Sequence, residues 1–564
     1  MASAESSDEC CNRLVFEAVK ENFVLKLLSV KRRYSKSQLL TSLIQCDEEG
    51  QTPLLIAMVK EDRCMIFELV LVLKNCDHQI EENWQKTLTA INQLSDCIPI
   101  MELIDFFTYD FLRDGDWLEL LGQVFIHSTS FTRHNRIIAL ESIGATLMLC
   151  SVIGNGLCAL KYWREAMILR TQHGEFLPKI SPAVCDPSEA STVVYGTAVE
   201  VMTLGELDLL QDIYERDHRL WIRNLRFIPS KRLMQIQALL VLRRIVSEAH
   251  LDYPHVLYLA SLFNFTVRVD AEQRSEIKLI INSLVLILEQ MNGYDPELLP
   301  SKPRDVFKKT LNEISIYFCR ALRNRENLSY ANLLAPIKFF GIIAKRFPNN
   351  AAFPYYVEAF YRILFVFESI SPTMTKEEQQ PLAKFFYDYI KNIPERTTHF
   401  LHVAVCNDEP SEMFHLGTIK LILKLGADPD STNKFGETAL HIVAGIDEDE
   451  FPSMDKYLPV FQTLVNAGSH LDMARDDGQT VLSIVKKNDL ISTHPYFESL
   501  LNTVLPLSCY AARIIRLNGI QFDEDRIPHS LQTFVARHSA KGKKKDSSFI
   551  EIGYKIELLL DLSD

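Results

Sequence analysis

Histidine and cysteine are the residues of this 564-residue chain best suited to chemistry, and their spacing decides what chemistry is open to it. The twelve cysteines are scattered irregularly and no CxxC pair occurs. That removes the spacing a zinc ribbon or a thioredoxin-like redox pair requires. Reduced thiols, in cytosol or nucleus, are the expectation. His399 and His402 in THFLHVAV stand close enough to suggest a metal site, yet no third ligand accompanies them at a telling distance. His441 ends the run TALH, where a histidine braces the start of a helix. Gly154 and Gly156 in VIGNG do not make a phosphate loop, since no Lys-Ser or Lys-Thr pair follows and no strand precedes. No G-x-S-x-G, H-E-x-x-H, Walker loop or catalytic Cys/His signature is found. The chain is therefore expected to bind rather than catalyse, with no catalytic residue, no metal and no cofactor.

What must position these residues is a stack of helices. A Gly two positions before a Thr permits a turn, and the Thr hydroxyl then caps the helix that follows. DEEGQTPLLIA places Gly50, Thr52, Pro53 and Leu54 in that pattern. GADPDSTNKFGETALHIVA repeats it with Gly426, Gly436, Thr438, Leu440 and His441, and GSHLDMARDDGQTVLSIVK with Gly468, Gly478, Thr480 and Leu482. Gly436 and Gly478 stand 42 positions apart, as do Gly426 and Gly468. The ankyrin period is about 33 residues, so an insertion is implied, and the acidic stretch GIDEDEFPSMDK is its natural place. THFLHVAV reads as a worn copy of the same junction.

A second kind of hairpin occupies the middle. Ala159, Trp163 and Ala166 fall on one helical face, with Leu140 and Gly144 on the helix before. Small, large, small at that spacing suits a tetratricopeptide (TPR)-like hairpin whose helices approach closely. Residues 230–390 stay helical by pattern, as in RLMQIQALLVLRRIV and PLAKFFYDYIKNI, without an assignable repeat. A hydrophobic content of 47% and a charged content of 24% are those of an ordinary globular chain. The net charge of -13 argues against a nucleic-acid partner. MASAESSDECCNR has an acidic start and no apolar core, so no secretory signal is expected. The runs LVLVL and LIINSLVLIL fall far short of the roughly 20 residues that span a bilayer, so no membrane partner is expected.

Near the C-terminus, PLSCYAARIIRLNGI predicts one short helix, opened by Pro506 and stopped by Asn518 and Gly519. Leu507, Ala511 and Ile515 share a stripe at i, i+4 and i+8. RIPHSLQTFVARH predicts a second helix, with Ile527, Pro528, Leu531 and Phe534 to one side. Such stripes ordinarily pack on a neighbouring repeat. A large, a small and an aliphatic residue in a row also suit a helix laid in a partner's groove.

The string PLSCYAARIIRLNGIQFDEDRIPHSLQTFVARH resembles the C-terminus of the feminization (Fem) family of ankyrin proteins, as do ALESIGAT, ALKYWREAMILRTQHGEFLPK and MQIQALLVLRRI further upstream. The ordered matches span residues 137–538. The resemblance implies a non-enzymatic substrate receptor of a cullin-two ubiquitin ligase, carrying a von Hippel-Lindau-type box. On that reading Leu507, Ala511 and Ile515 would bind elongin C, although alanine stands where many such boxes have cysteine. Ile527 and Pro528, with Leu531 and Phe534, would select the cullin. The partners implied are elongin B/C, cullin-two with its RING subunit, and an unidentified protein substrate with a C-terminal degron. The compartment implied is the cytoplasm, with the nucleus as a second location. The family's long N-terminal ankyrin array is matched only by its first repeats, so no degron-binding residue is carried over.

The expected architecture is an all-α, α-solenoid arrangement. Degenerate ankyrin repeats occupy 12–75, a helical connector 76–136, a TPR-like domain 137–395 and ankyrin repeats 396–500. Box-type helices follow at 501–538 and a flexible tail at 539–564, whose Lys541, Lys543, Lys544 and Lys545 form a basic linker. The rival reading is an ankyrin/TPR scaffold without ubiquitin chemistry, which would bury Leu507 as part of a capping element.

Overall fold

The computed structural model describes residues 7–45, 131–149, 155–174, 176–180, 188–224, 229–248, 255–272, 276–294, 299, 301–328, 330–346, 353–391, 399–406, 414–446, 453–522 and 526–538, with isolated positions at 47–69 and 118–126. Gly50, Thr52, Leu54, Gly154, most of the 76–136 connector, most of the acidic insertion and the 539–564 tail lie outside them. Among the described residues every regular element is a helix, joined only by two isolated bridges, Met473 with His538 and Ala474 with Thr480. No helix among them is long and apolar enough to cross a membrane. The chain divides into two compact units, Met1–Thr310 and Leu311–Asp564.

In the first unit, three short helices, Ser7–Lys20, Val24–Arg33 and Lys36–Ile44, pack together at the front. The central hairpin pairs Arg133–Leu149 with Asn155–Thr171. Gly144 is what lets the two helices meet: a Cβ there would lie 2.7 Å from the Trp163 ring and 2.9 Å from the Ala159 carbonyl. The Trp163 indole Nε1–H donates to the Glu141 carbonyl at 3.2 Å. Pro229–Glu248 lies against Arg133–Leu149 and carries Arg244 into the core. There the Glu141 carboxylate accepts from Arg170 at 3.0 and 3.1 Å and from Arg244 at 2.6 Å. Lys179 and Arg244 also hold Glu200, at 2.8 and 2.9 Å, and Arg244 holds Glu248 at 3.1 Å. Three carboxylates thus face three cations, and the network leaves no net charge in a largely buried site. Ile277–Gln290 contains LIINSLVLIL and is buried from Ile280 to Leu288 without a break, a helix enclosed by its neighbours.

In the second unit, Tyr330–Arg346, Phe353–Ile370 and Lys376–Lys391 converge on Phe360. Its ring stacks on Tyr389 at 3.9 Å and on Phe400 at 4.8 Å, and meets Phe340 and Phe386 edge-on at 5.1 and 5.2 Å. Phe400 opens the first of a series of short hairpins: Phe400–Cys406 with Leu416–Lys424, Ala439–Ala444 with Met454–Asn466, and Val481–Lys487 followed by Pro495–Leu501. The turn glycines behave as the Gly-x-Thr pattern requires. Gly436 and Gly478 take φ of 76° and 86°, where a side chain would be strained. Thr438 and Thr480 then cap their helices in reciprocal boxes with His441 and Ser483.

Each junction histidine also reaches its neighbour. His441 Nδ1 accepts from the Thr438 N–H at 3.2 Å, and Nε2–H donates to the Met473 carbonyl at 3.0 Å. His402 repeats the pattern, accepting from the His399 N–H at 3.2 Å and donating to the Glu437 carbonyl at 2.8 Å. Both are buried, at 1% and 2% exposure, and burial pulls both pKa values down, His441 to about 4. Between pH 6.5 and 4 the unfolded chain therefore binds a proton at position 441 that the folded chain refuses. Stability is present above that window and is lost as the pH falls through it, by up to about 1.4 kcal/mol per pH unit. His441→Ala is expected to lower unfolding free energy at pH 7.5 by roughly 1–3 kcal/mol, since two buried backbone groups lose their partner. Urea denaturation from pH 7.5 to 5 should also show a shallower pH slope in the variant.

Candidate docking helices at residues 505–538

Two helices follow the last hairpin, Leu507–Leu517 and His529–Arg537, and they pack on each other. Pro506 and Pro528 occupy equivalent positions before them, with φ of -54° and -52° and ψ of 145° and 143°. Pro has no N–H to lose there and its fixed φ sets the entry of the chain. The first helix turns Cys509 and Ala512 inward. Cys509 and Ala512 are each 1% exposed, and Leu505 just before the helix is buried. Arg513 anchors the helix by pairing with Asp472, a carboxylate with no solvent exposure.

The opposite face is apolar and open. Leu507 is 83% exposed, Ile514 55% and Tyr510 39%, with Val504 in the preceding turn at 79%. Ala511 is exposed and Ile515 half-buried. The outward stripe therefore runs through Leu507, Tyr510, Ala511 and Ile514, at i, i+3, i+4 and i+7. Residues on a helix are about 100° apart, so Ile514 returns to within about 20° of Leu507, whereas Ile515 lies about 80° away. The i, i+4, i+8 spacing read from the sequence drifts around the helix. Counting the 3.6-residue period from Leu507 would have found Tyr510 and Ile514. Just before the second helix Pro528 is exposed and Ile527 half-buried, and on the helix Leu531 is 48% exposed. The half-buried Phe534 turns one side of its ring to His538, 3.9 Å between centroids, and meets His470 at 5.0 Å.

Behind the helices lies a polar cluster that sequence spacing gives no hint of. His470, Cys509 and His538 come from three separate elements, and one donor atom of each lies within 4.8 Å of the other two. Cys509 Sγ is 3.3 Å from His538 Nε2, and His538 Nδ1–H donates to the Phe534 carbonyl at 2.7 Å. His470 Nδ1 pairs with the Asp430 carboxylate, which also accepts from the His470 backbone N–H at 2.9 Å. The Asp430 hydrogen bond lifts the His470 pKa, while burial pulls the His538 pKa down and pushes the Cys509 thiol up. The six described cysteines are all free thiols.

Residues 408–447, the segment holding the Gly426 and Thr438 turn, match the ankyrin-repeat family "Ankyrin repeats (many copies)". Among curated proteins, the chain is similar to "Protein fem-1 homolog A-like" of Mus musculus, 25% identical over 430 residues, covering 72% of this chain and 58% of that protein. "Protein fem-1 homolog A" of Homo sapiens is 25% identical over 451 residues, covering 74% and 58%. "Protein fem-1 homolog C" of Xenopus laevis is 24% identical over 433 residues, covering 72% and 61%. The chain thus spans about three fifths of the length of these curated relatives.

Proposed function

Since this chain is a divergent ankyrin-repeat relative of the Fem-1 proteins, we propose that it is a protein-interaction adaptor serving as a substrate receptor of a cullin-two ubiquitin ligase. The reading is carried by one observation: the helix starting at Leu507 leaves an apolar stripe facing outward, with Leu507 itself 83% exposed. A monomer gains nothing from an exposed leucine, tyrosine and isoleucine in one row. A groove-forming partner would bury them. Elongin C is the partner the box-like sequence favours, with Leu507 as the knob and Tyr510, Ala511, Ile514 and Ile515 around it. Pro528, which opens the second helix, and Leu531 on it would extend the exposed surface toward the cullin. The adaptor transfers nothing itself; it raises the local concentration of a bound substrate near the conjugating enzyme. The reading places its work in the cytoplasm, with the nucleus as a second site.

The test is affinity purification of the full chain from cells, scored for elongins B and C and cullin-two. Stoichiometric capture supports the receptor reading. Capture of other proteins with neither elongin nor cullin overturns it in favour of an ankyrin scaffold.

A further inference from the structure

We propose that His470, Cys509 and His538 form a zinc site that clamps the two docking helices to the last ankyrin hairpin. The placement of the donors is what a zinc ion needs. Zn–S and Zn–N bonds of about 2.3 and 2.0 Å in a tetrahedron set neighbouring donors about 3.3–3.7 Å apart. Cys509 Sγ and His538 Nε2 are already 3.3 Å apart, and all three donors fall within 4.8 Å, so a small closing movement completes the set.

The tautomers point the same way. The bracing histidines His402 and His441 each accept at Nδ1 and donate from Nε2 to a neighbouring carbonyl, so neither has a nitrogen to spare. His538 is reversed. Its Nδ1–H is taken by the Phe534 carbonyl, which leaves the Nε2 lone pair facing the Cys509 sulfur. His470 gives its Nδ1 to the Asp430 carboxylate, and Nε2 is the nitrogen that remains to coordinate. A ring nitrogen held by a carboxylate or a backbone carbonyl, with the other free, is how proteins fix a zinc-binding imidazole.

A third observation is independent of the histidines. Asp472 has no solvent exposure; one of its oxygens pairs with Arg513, but Oδ2 is buried with no hydrogen-bond partner among the described residues. Its charge acts on both Cys509 and His538. A zinc dication nearby would add to the positive charge that Arg513 already brings to this buried carboxylate. The fourth coordination position falls to a water. Binding balances simply: zinc enters as the dication, the Cys509 thiol gives its proton to solvent, and both imidazoles bind neutral. A nitrogen and sulfur donor set of this kind favours zinc over calcium or magnesium. The inference does not depend on which partner the outward face receives.

The test uses the full reduced chain, stripped with a chelator and titrated with cobalt(II). A single equivalent should bind with thiolate-to-cobalt charge-transfer absorption, and added zinc(II) should erase that band. Cys509→Ser should abolish it, leaving the other eleven cysteines unable to replace it. His470→Gln, at a half-buried position, should weaken cobalt binding at least tenfold with the helical signal intact. A wild-type chain that shows no such band overturns the proposal, even if the Cys509 variant fails to fold. So does a band that survives in Cys509→Ser.

Discussion

Glu141→Gln is expected to lower the unfolding free energy of the first unit by about 3–5 kcal/mol, although the two side chains have nearly the same shape. Removing the charge strands Arg170 and Arg244, at 5% and 1% exposure, with one carboxylate too few. A buried ion left without its partner costs far more than the intact pair contributes. The pH dependence gives an independent measure. Burial by itself would raise the Glu141 pKa, but the charges of Arg244, Arg170 and Lys179 overrule it and bring it down to about 2 from 4.5. A depressed carboxyl stabilises the fold above its unfolded pKa and loses that contribution as the pH falls from about 4.5 toward 2. The size of the shift corresponds to roughly 3 kcal/mol. Urea denaturation followed by tryptophan fluorescence, Trp163 sitting at the network, should show the wild type losing stability over that window. The glutamine variant should start lower and lose less. A variant as stable as wild type at pH 7 would mean that Arg170 and Arg244 find water or other partners when Glu141 is neutral.

Leu507→Ser is expected to leave the melting temperature within about a degree and to cut elongin capture by at least tenfold. The first half follows from exposure: a side chain 83% open to solvent buries little on folding. The second follows from what a partner's pocket would gain, since burying a leucine is worth about 1.5–3 kcal/mol, or roughly ten- to hundredfold in affinity. Ile514→Ser and Ile515→Ser separate the two ways of drawing the stripe. If the open face is the docking face, Ile514→Ser weakens capture nearly as much as Leu507→Ser. Ile515→Ser, half-buried, should weaken the fold more and capture less. Equal capture by Leu507→Ser and wild type would defeat the ligase reading.

The sequence announces the parts of this molecule whose geometry is local. A glycine with positive φ and a threonine cap act within four residues, so the hairpins at Gly436 and Gly478 can be read directly, as can the proline-opened helices at 507 and 529. The Gly144 and Trp163 contact is legible for a related reason, because a small residue against a large one is a pattern along helices. Register around a helix is less so: an aliphatic pair such as Ile514 and Ile515 satisfies either face, and packing by Cys509 and Ala512 decides between them. Long-range polar clusters are hidden altogether. Glu141 meets Arg244 across 103 positions, and His470 meets Cys509 and His538 across three elements, with no spacing that survives in the linear order.

One consequence follows from the histidines that reach from each hairpin to the next. His402 holds the loop at Glu437, His441 holds the loop at Met473, and Met473 in turn bridges to His538. Glu437 is also tied to Arg475, and Asp472 to Arg513. Every link joins consecutive rungs, so the outward face around Leu507 is the last link of a continuous tether anchored near residue 400. Limited proteolysis should therefore release this end of the molecule as one long protected fragment. A peptide cut out around the docking helices alone would lack the floor that holds their outward face in place.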